Sequence, residues 1–392
     1  MIAAREPVDV LVIGAGMVGA ACAYYCADAG LRVAVVERAS VAGGTTSACE
    51  GNILVSDKEP SAELDLALLS VRLWLELGDR IGADRLELQH KGGVVVAQTH
   101  EAAAGLAGLT ARQRALGIDV TDVTGAELSE LEPNLTRQAS SGAWYPQDMQ
   151  VQPMLATAEL LRQARTRGAS VHTGTEVTGF RRDTHGALTG VDTASGPLPA
   201  RWVINAAGTW GGNIAALAGA PIPVLPRKGF ILVTEPLPVV VRHKVYTADY
   251  VANVASGEAG LETSVVVEGT RAGTVLIGAS RERVGFDRQV SLPVLRRLAA
   301  QAIGLFPFLA EVALLRSYLG FRPYCPDHLP VIGADPRVPG LVHACGHEGA
   351  GIGLAAATGR LIAQSLTGVP TDLDLAPFRP DRFTPELAQE GA

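Results

Sequence analysis

Arg322 stands one residue before a proline in GFRPYCPDHLPVIG, the stretch from Gly320 to Gly333. Proline fixes its own φ and confines the preceding residue to extended conformations, so this guanidinium is predicted to sit on a stiffened strand end. A planar five-donor fork held in that way suits a carboxylate, either that of a small ligand or that of a structural ion-pair partner such as Asp327. Two further groups stand in glycine-rich turns. Glu50, in ACEGN, is suited to accept from a ligand amine or else is a solvated acid; His347, in GHEGAG, faces a ligand or caps backbone. The five cysteines, Cys22, Cys26, Cys49, Cys325 and Cys345, are an odd and scattered set with no CxxC pair, which encodes neither a disulfide framework nor an iron–sulfur or zinc site. Cys22 and Cys26, one helical turn apart, read as core packing, and Cys49 as a small packed residue. No Ser-His-Asp arrangement and no metal cluster offers a competing chemistry.

The elements that must position these groups begin at the N-terminus. The apolar run VDVLVI, Val8 to Ile13, ends in Gly14-Ala15-Gly16-Met17-Val18-Gly19 and continues as a small-residue helix pattern through Asp28, with a stop at Gly30. A second strand, Arg32 to Val36, ends on Glu37, eighteen residues past Gly19. Strand, glycine turn, helix and acid at this spacing predict a dinucleotide site: the glycines let backbone approach a pyrophosphate at a helix N-terminus, and the acid receives ribose hydroxyls. The next residues, RASVAGGTTSACEGN, suit neither helix nor strand. Two more glycine sites follow, one where RWVINAAGTW (201 to 210) breaks at Ala206-Ala207-Gly208, and one at residues 346 to 353, feeding a helix from about Leu354 to Leu366. Three separated sites suit a long cofactor lying across several segments, so FAD fits better than NAD.

With 392 residues the chain exceeds one ordinary core, and two domains are expected. Apolar residues make up 47% and charged residues 19%, which argues against disorder; a net charge of -7 without a basic run argues against nucleic acid as a partner. No window has the roughly 20 unbroken apolar residues of a spanning helix, and the first residues lack a leader pattern, so a soluble cytoplasmic protein without a transmembrane segment is expected. The stretches Leu86 to Gln98, Gly229 to Thr234, Ser264 to Glu268 and Thr274 to Gly278 read as antiparallel strands.

VIGAGMVG with Glu37, TTSACEGN, VINAAGTW, GFRPYCPDHLPVIG and GHEGAGIG together resemble the D-amino acid oxidase-like flavoprotein superfamily, which includes glycine oxidase, sarcosine oxidase and the flavin subunits of several amino-acid dehydrogenases. The resemblance covers nearly the whole chain. TTSACEGNILVSDK and HKVYTADYVANV are most similar to the D-hydroxyproline dehydrogenase flavin subunit and its hydrogen cyanide synthase and opine oxidase relatives. It implies an α/β fold: a Rossmann-type FAD-binding domain assembled from residues 1–85, 151–215 and 326–392, and an antiparallel-sheet substrate domain from 86–150 and 216–325.

For the site, the resemblance implies non-covalent FAD on Gly14, Gly16, Met17, Val18, Gly19, Glu37, Arg38, Thr45, Thr46, Ser47, Gly51, Asn52, Val177, Ala206, Ala207, Gly208, Trp210, Gly346, Gly349, Gly351 and Ile352. Gly320 stands where some sarcosine oxidases carry a tethering cysteine, and Cys325 lies five residues beyond it. Arg322 resembles the residue that clamps the substrate carboxylate, and Tyr250, in ADYVAN, one that hydrogen-bonds the same group; for Tyr250 a packed strand tyrosine is the other reading. With His347, these are the candidate catalytic residues. The implied reaction is oxidation of the C–N bond of an amino or imino acid, proline-like or otherwise small, by hydride transfer from the alpha carbon to flavin N5, leaving an imine. Three alternatives stand beside it: a dioxygen-using oxidase of glycine, sarcosine or another amine; an enzyme of an uncharged amine; and a non-catalytic FAD-bound subunit. The implied partners are the substrate and an electron-accepting flavin or iron–sulfur subunit.

Overall fold

A computed structural model describes residues 7–249, 258–384 and 386–387. The first sheet is built where continuous Val/Ile/Leu runs allow burial on both faces, as parallel strands require. Its order is Val331–Ala334, Leu341–Cys345, Gly196–Asn205, Val8–Ile13, Val33–Val36, Ser170–His172, parallel except between the first two. A hairpin of Val177–Arg182 and Leu188–Thr193 extends Gly196–Asn205 on one side. The glycine turn after Val8–Ile13 is sterically forced. Gly14 has φ +108°, and a Cβ there would collide with the carbonyl oxygen of Ala206, so only glycine lets the two central strands end side by side.

Helix Met17–Asp28 follows, made almost wholly of buried small and aromatic residues. The C-terminal helix Gly351–Thr367 packs across it at Gly359, where a Cβ would come within 2.6 Å of the Ala21 backbone. That helix begins three residues before the expected Leu354. Its first turn is fixed from outside, by Ser70 Oγ (2.5 Å) and Trp74 Nε1 (3.1 Å) of helix Ala62–Leu77, both donating to the Gly353 carbonyl.

The second sheet has eight strands, in the order Leu314–Tyr324, Leu225–Thr234, Val275–Arg281, Glu262–Gly269, Lys244–Thr247, Gly93–Ala97, Ser141–Tyr145, Thr121–Thr124. The expected strands at 229–234, 264–268 and 274–278 lie in it nearly as read. The 86–98 stretch does not run as one strand: Ala83–Leu86 is a helical turn, Gln89 makes a single antiparallel bridge with Gln150, and the strand of the second sheet is Gly93–Ala97. Nor is the sheet wholly antiparallel, because Lys244–Thr247 lies parallel to Gly93–Ala97. Helix Leu292–Leu305 covers the outer face through Val294, Leu298, Ala302 and Leu305. Arg322 sits near the end of the edge strand, opposite Arg227, as the Arg-Pro pairing predicted.

Between the two sheets lies a buried polar knot. Asp148 accepts from Val55 N (2.9 Å) and from Ser56 Oγ, which in turn accepts from Tyr246 Oη (2.5 Å). Burial pushes the Asp148 carboxyl up to about 7 against those hydrogen bonds. A carboxyl raised above its unfolded value gives stability present below about pH 4 and lost as pH rises through about 7. Asp148→Asn should therefore flatten the pH dependence of the melting temperature between pH 4 and 7; an unchanged slope would show that this group does not titrate in that range.

Candidate active site

The carboxyl ends of the first sheet's strands open onto a cavity of about 450 Å³. Its walls come from separate parts of the chain, within 13–18, 36–52, 175–177, 206–217, 229–231, 320–323 and 344–352. At one end Glu37 accepts from Ala15 N (3.0 Å) and Ala39 N (2.9 Å), one bond per oxygen, which braces the glycine turn and leaves further acceptor capacity on both oxygens. Arg38 stacks over the Trp210 ring at 4.0 Å, and Val177 lies beside them on the wall. In the middle, the N-terminus of helix Met17–Asp28 carries no acid in its first turn, and Thr46 Oγ1 accepts from Met17 N at 3.1 Å. Uncompensated N–H groups at a helix start favour an anion. A cavity of this volume with an acid and an anion-seeking helix start on its wall fits a dinucleotide such as FAD.

The other end is lined by Gly229, Ile231, Gly320, Arg322, Glu348, Cys49 and Glu50. Arg322 Nη1 donates to the Ser280 carbonyl (2.8 Å), and its guanidinium lies over Gly229, where a Cβ would collide with it. Asp327, the alternative partner, is instead bound by Arg382 through two hydrogen bonds of 2.6 and 3.1 Å. Glu50 is not solvated; it is 8% exposed, with Asn52 Nδ2 at 3.2 Å and Lys244 Nζ at 3.3 Å from Oε2. His347 lines the cavity, and its Nε2 lies 2.9 Å from the side-chain Oγ1 of Thr358 on helix Gly351–Thr367. Burial pushes the imidazole down to about 3, so it is neutral at physiological pH.

Of the residues expected at the cofactor, Gly14, Gly16, Met17, Val18, Glu37, Arg38, Thr45, Thr46, Asn52, Val177, Ala206, Ala207, Gly208, Trp210, Gly349, Gly351 and Ile352 line the cavity. Gly19, Ser47, Gly51 and Gly346 do not. Gly19 lets the helix close on Gly14, Gly51 lies against the Val151 backbone, and Gly346 faces the Cys325 sulfur, so each glycine answers to packing. Ser47 Oγ turns back to the Gly44 carbonyl (3.1 Å). Tyr250 lies outside the described residues.

Sequence reasoning missed a second charged layer. Arg227 is fully buried and pairs with Glu348 (2.7 Å) and Glu262 (2.9 Å). Glu348 also meets His328 Nδ1 at 3.0 Å and stands at φ +45°. Burial opposes its charge, but the His328 hydrogen bond and the Arg227 charge prevail and hold its carboxyl below the usual range. The available signal was the charge pair in PRKGF, set directly before an apolar strand, and the acid inside GHEGAG.

The cysteines bear on how a cofactor is held. A side chain at Gly320 would meet Ala48 Cβ at 2.7 Å, so this position has no room for a tethering sulfur. Cys325 is buried and off the cavity wall; burial pushes Cys49 and Cys345, which are on the wall, up to about 12, which keeps both thiols protonated.

The family described as FAD dependent oxidoreductase, DAO, matches residues 9–365. The hydrogen cyanide synthase subunit HcnC of Pseudomonas aeruginosa is 32% identical, with 97% of each chain covered. Glycine oxidase of Geobacillus kaustophilus is also 32% identical, over 97% of this chain and 99% of its own. The crystal structure of glycine oxidase from that organism superposes with a TM-score of 0.87 at 29% identity, covering 97% of this chain and all of the other. L-proline dehydrogenase from P. horikoshii superposes with a TM-score of 0.88 at 25% identity, over 97% and 98%. Among the described residues no helix is long and apolar enough to cross a membrane. With its glycine turn, its acid and its cavity all in the places that cofactor requires, the chain belongs to the DAO family of FAD-dependent oxidoreductases.

Proposed function

We propose that the protein oxidises the C–N bond of a small amino or imino acid to an imine, with Arg322 holding the substrate carboxylate. Bound FAD supplies the two-electron acceptor. The observation that carries this reading is a guanidinium on the inner wall of the cofactor cavity, fixed by the Ser280 carbonyl and given its space by Gly229. A positioned fork of this kind orients a carboxylate at two points, and orientation is a large part of what such a site contributes. His347, kept neutral by burial, adds no charge of its own to the cavity wall. The names of the relatives, glycine oxidase and L-proline dehydrogenase, support amino-acid substrates of both open and cyclic form.

In this reading the turn from Gly14 to Gly16 and the helix start hold the pyrophosphate, Glu37 the ribose, and Arg38 with Trp210 the far end. Residues 1–85, 151–215 and 326–392 serve the cofactor, and 86–150 and 216–325 the substrate. The cofactor is held without a covalent bond, in keeping with the closed space at Gly320. A flavin or iron–sulfur subunit is the natural electron acceptor, as the likeness to a synthase subunit suggests. Under anaerobic conditions the yellow holoprotein should bleach with a member of a panel of D- and L-amino acids, prolines and N-methyl amino acids, and acid should release intact FAD. No bleaching by any amino acid would remove the proposal; colour retained in the acid precipitate would remove its non-covalent part.

A further inference from the structure

Glu50 has one carboxylate oxygen accounted for and one that is not. Oε2 accepts from Asn52 and lies by Lys244, whereas Oε1 is buried and has no hydrogen-bond partner among the described residues. Lys244 cannot turn to it without loss, because its ammonium is already shared by Asn52 Oδ1, Glu268 Oε2 (2.7 Å) and Glu50 Oε2 (3.3 Å), three acceptors for three N–H bonds. The surrounding fold holds the carboxylate in place. Gly278 makes room for it, since a Cβ there would lie 2.8 Å from Oε1 and 3.0 Å from Ile231 Cδ1, and Ile231 is itself part of the cavity wall. A buried acceptor left without a donor is costly, and at the wall of a ligand cavity the missing donor belongs to the ligand.

Position identifies that donor. Arg322 is anchored on the Ser280 carbonyl and Glu50 lies over Gly278, two residues earlier on the same strand and no more than about 7 Å of chain away. A cation and an anion thus stand next to each other on one wall, in the arrangement that matches a molecule with its carboxylate and its amine on one carbon. We propose that Glu50 Oε1 accepts an N–H from the substrate amine and so selects alpha-amino acids, primary or secondary, over simple carboxylates. The inference rests on the reading of Arg322 as the carboxylate clamp.

The test uses holoprotein and two ligands that lack an alpha C–H bond to oxidise or an amine to lose: 1-aminocyclopropane-1-carboxylate, and cyclopropanecarboxylate as the form without the amine. Binding is read from the perturbation of the flavin spectrum. Wild type should bind the amino form tighter by about tenfold or more, the worth of one charge-assisted hydrogen bond. Glu50→Gln should bring the two dissociation constants to within about twofold while leaving that of cyclopropanecarboxylate unchanged, and Arg322→Ala should weaken both ligands. Glu50→Asp, which keeps the charge one methylene back, should retain part of the preference and serves if the glutamine variant fails to hold FAD. A wild-type preference that survives in both Glu50 variants overturns the assignment. Failure of either ligand to respond to Arg322→Ala overturns the clamp itself, and this inference with it.

Discussion

Arg227→Met should lower stability by about 3 kcal/mol and the melting temperature by roughly 3–6 °C, although no surface contact is lost. Arg227 is wholly buried, and its two terminal guanidinium nitrogens are bonded to Glu348 and Glu262, whose side chains are 12% and 17% exposed. Removing it leaves two carboxylates in a poorly solvated place, with the His328 imidazole beside Glu348 only. The cost comes chiefly from that uncompensated charge rather than from the Coulomb attraction lost. Because Glu348 is held at φ +45° on the cavity wall by this pair, the variant should also weaken FAD retention. Adding Glu348→Gln should restore part of the stability, since it removes one of the stranded charges. A melting temperature within 1 °C or so of wild type would mean that the pair is hydrated and contributes little.

The parts of the fold that were legible in the sequence are those where local chemistry and tertiary need coincide. Gly14 and Gly19 were readable because each is forced by a backbone approach that no side chain survives, the break at Ala206 because Gly208 stands at φ +56°, and the strand ending at Glu37 because of its apolar run. Arg322 was readable because Pro323 restricts it, whatever the rest of the chain does. Less legible was anything set by pairing at a distance. Nothing in KVYT or GVVVA says that Lys244–Thr247 will lie parallel to Gly93–Ala97, because a strand's own pattern records burial and not the direction of its neighbour. Gly51 and Gly346 read as cofactor glycines because they stand in glycine-rich turns beside residues that line the cavity; what they approach, Val151 and Cys325, is remote in sequence. The same remoteness hid the Arg227–Glu348 pair, whose members are 121 residues apart. Lys244, Glu268 and Glu50 likewise meet only once two sheet strands and the loop after Glu37 are assembled.

The central claim is that Arg322 grips a substrate carboxylate, and it is tested by turnover of an amino acid against its own amide in wild type, Arg322→Lys and Arg322→Ala. Each charge-assisted hydrogen bond of such a pair is worth roughly 1.5–3 kcal/mol, so the alanine variant should lose at least about a hundredfold in kcat/KM with the amino acid. Lysine keeps the charge but not the two-point geometry, and should fall between the two. With the amide, which presents no carboxylate, wild type and Arg322→Ala should differ by only a few fold. FAD content should be unchanged, because Glu37 and the Gly14 turn come from segments of the wall other than the one that carries Arg322. Should Arg322→Ala instead shed its flavin or unfold while the fraction that remains loaded turns over the amino acid at the wild-type rate, Arg322 is a structural tie to Ser280, and the carboxylate clamp is wrong.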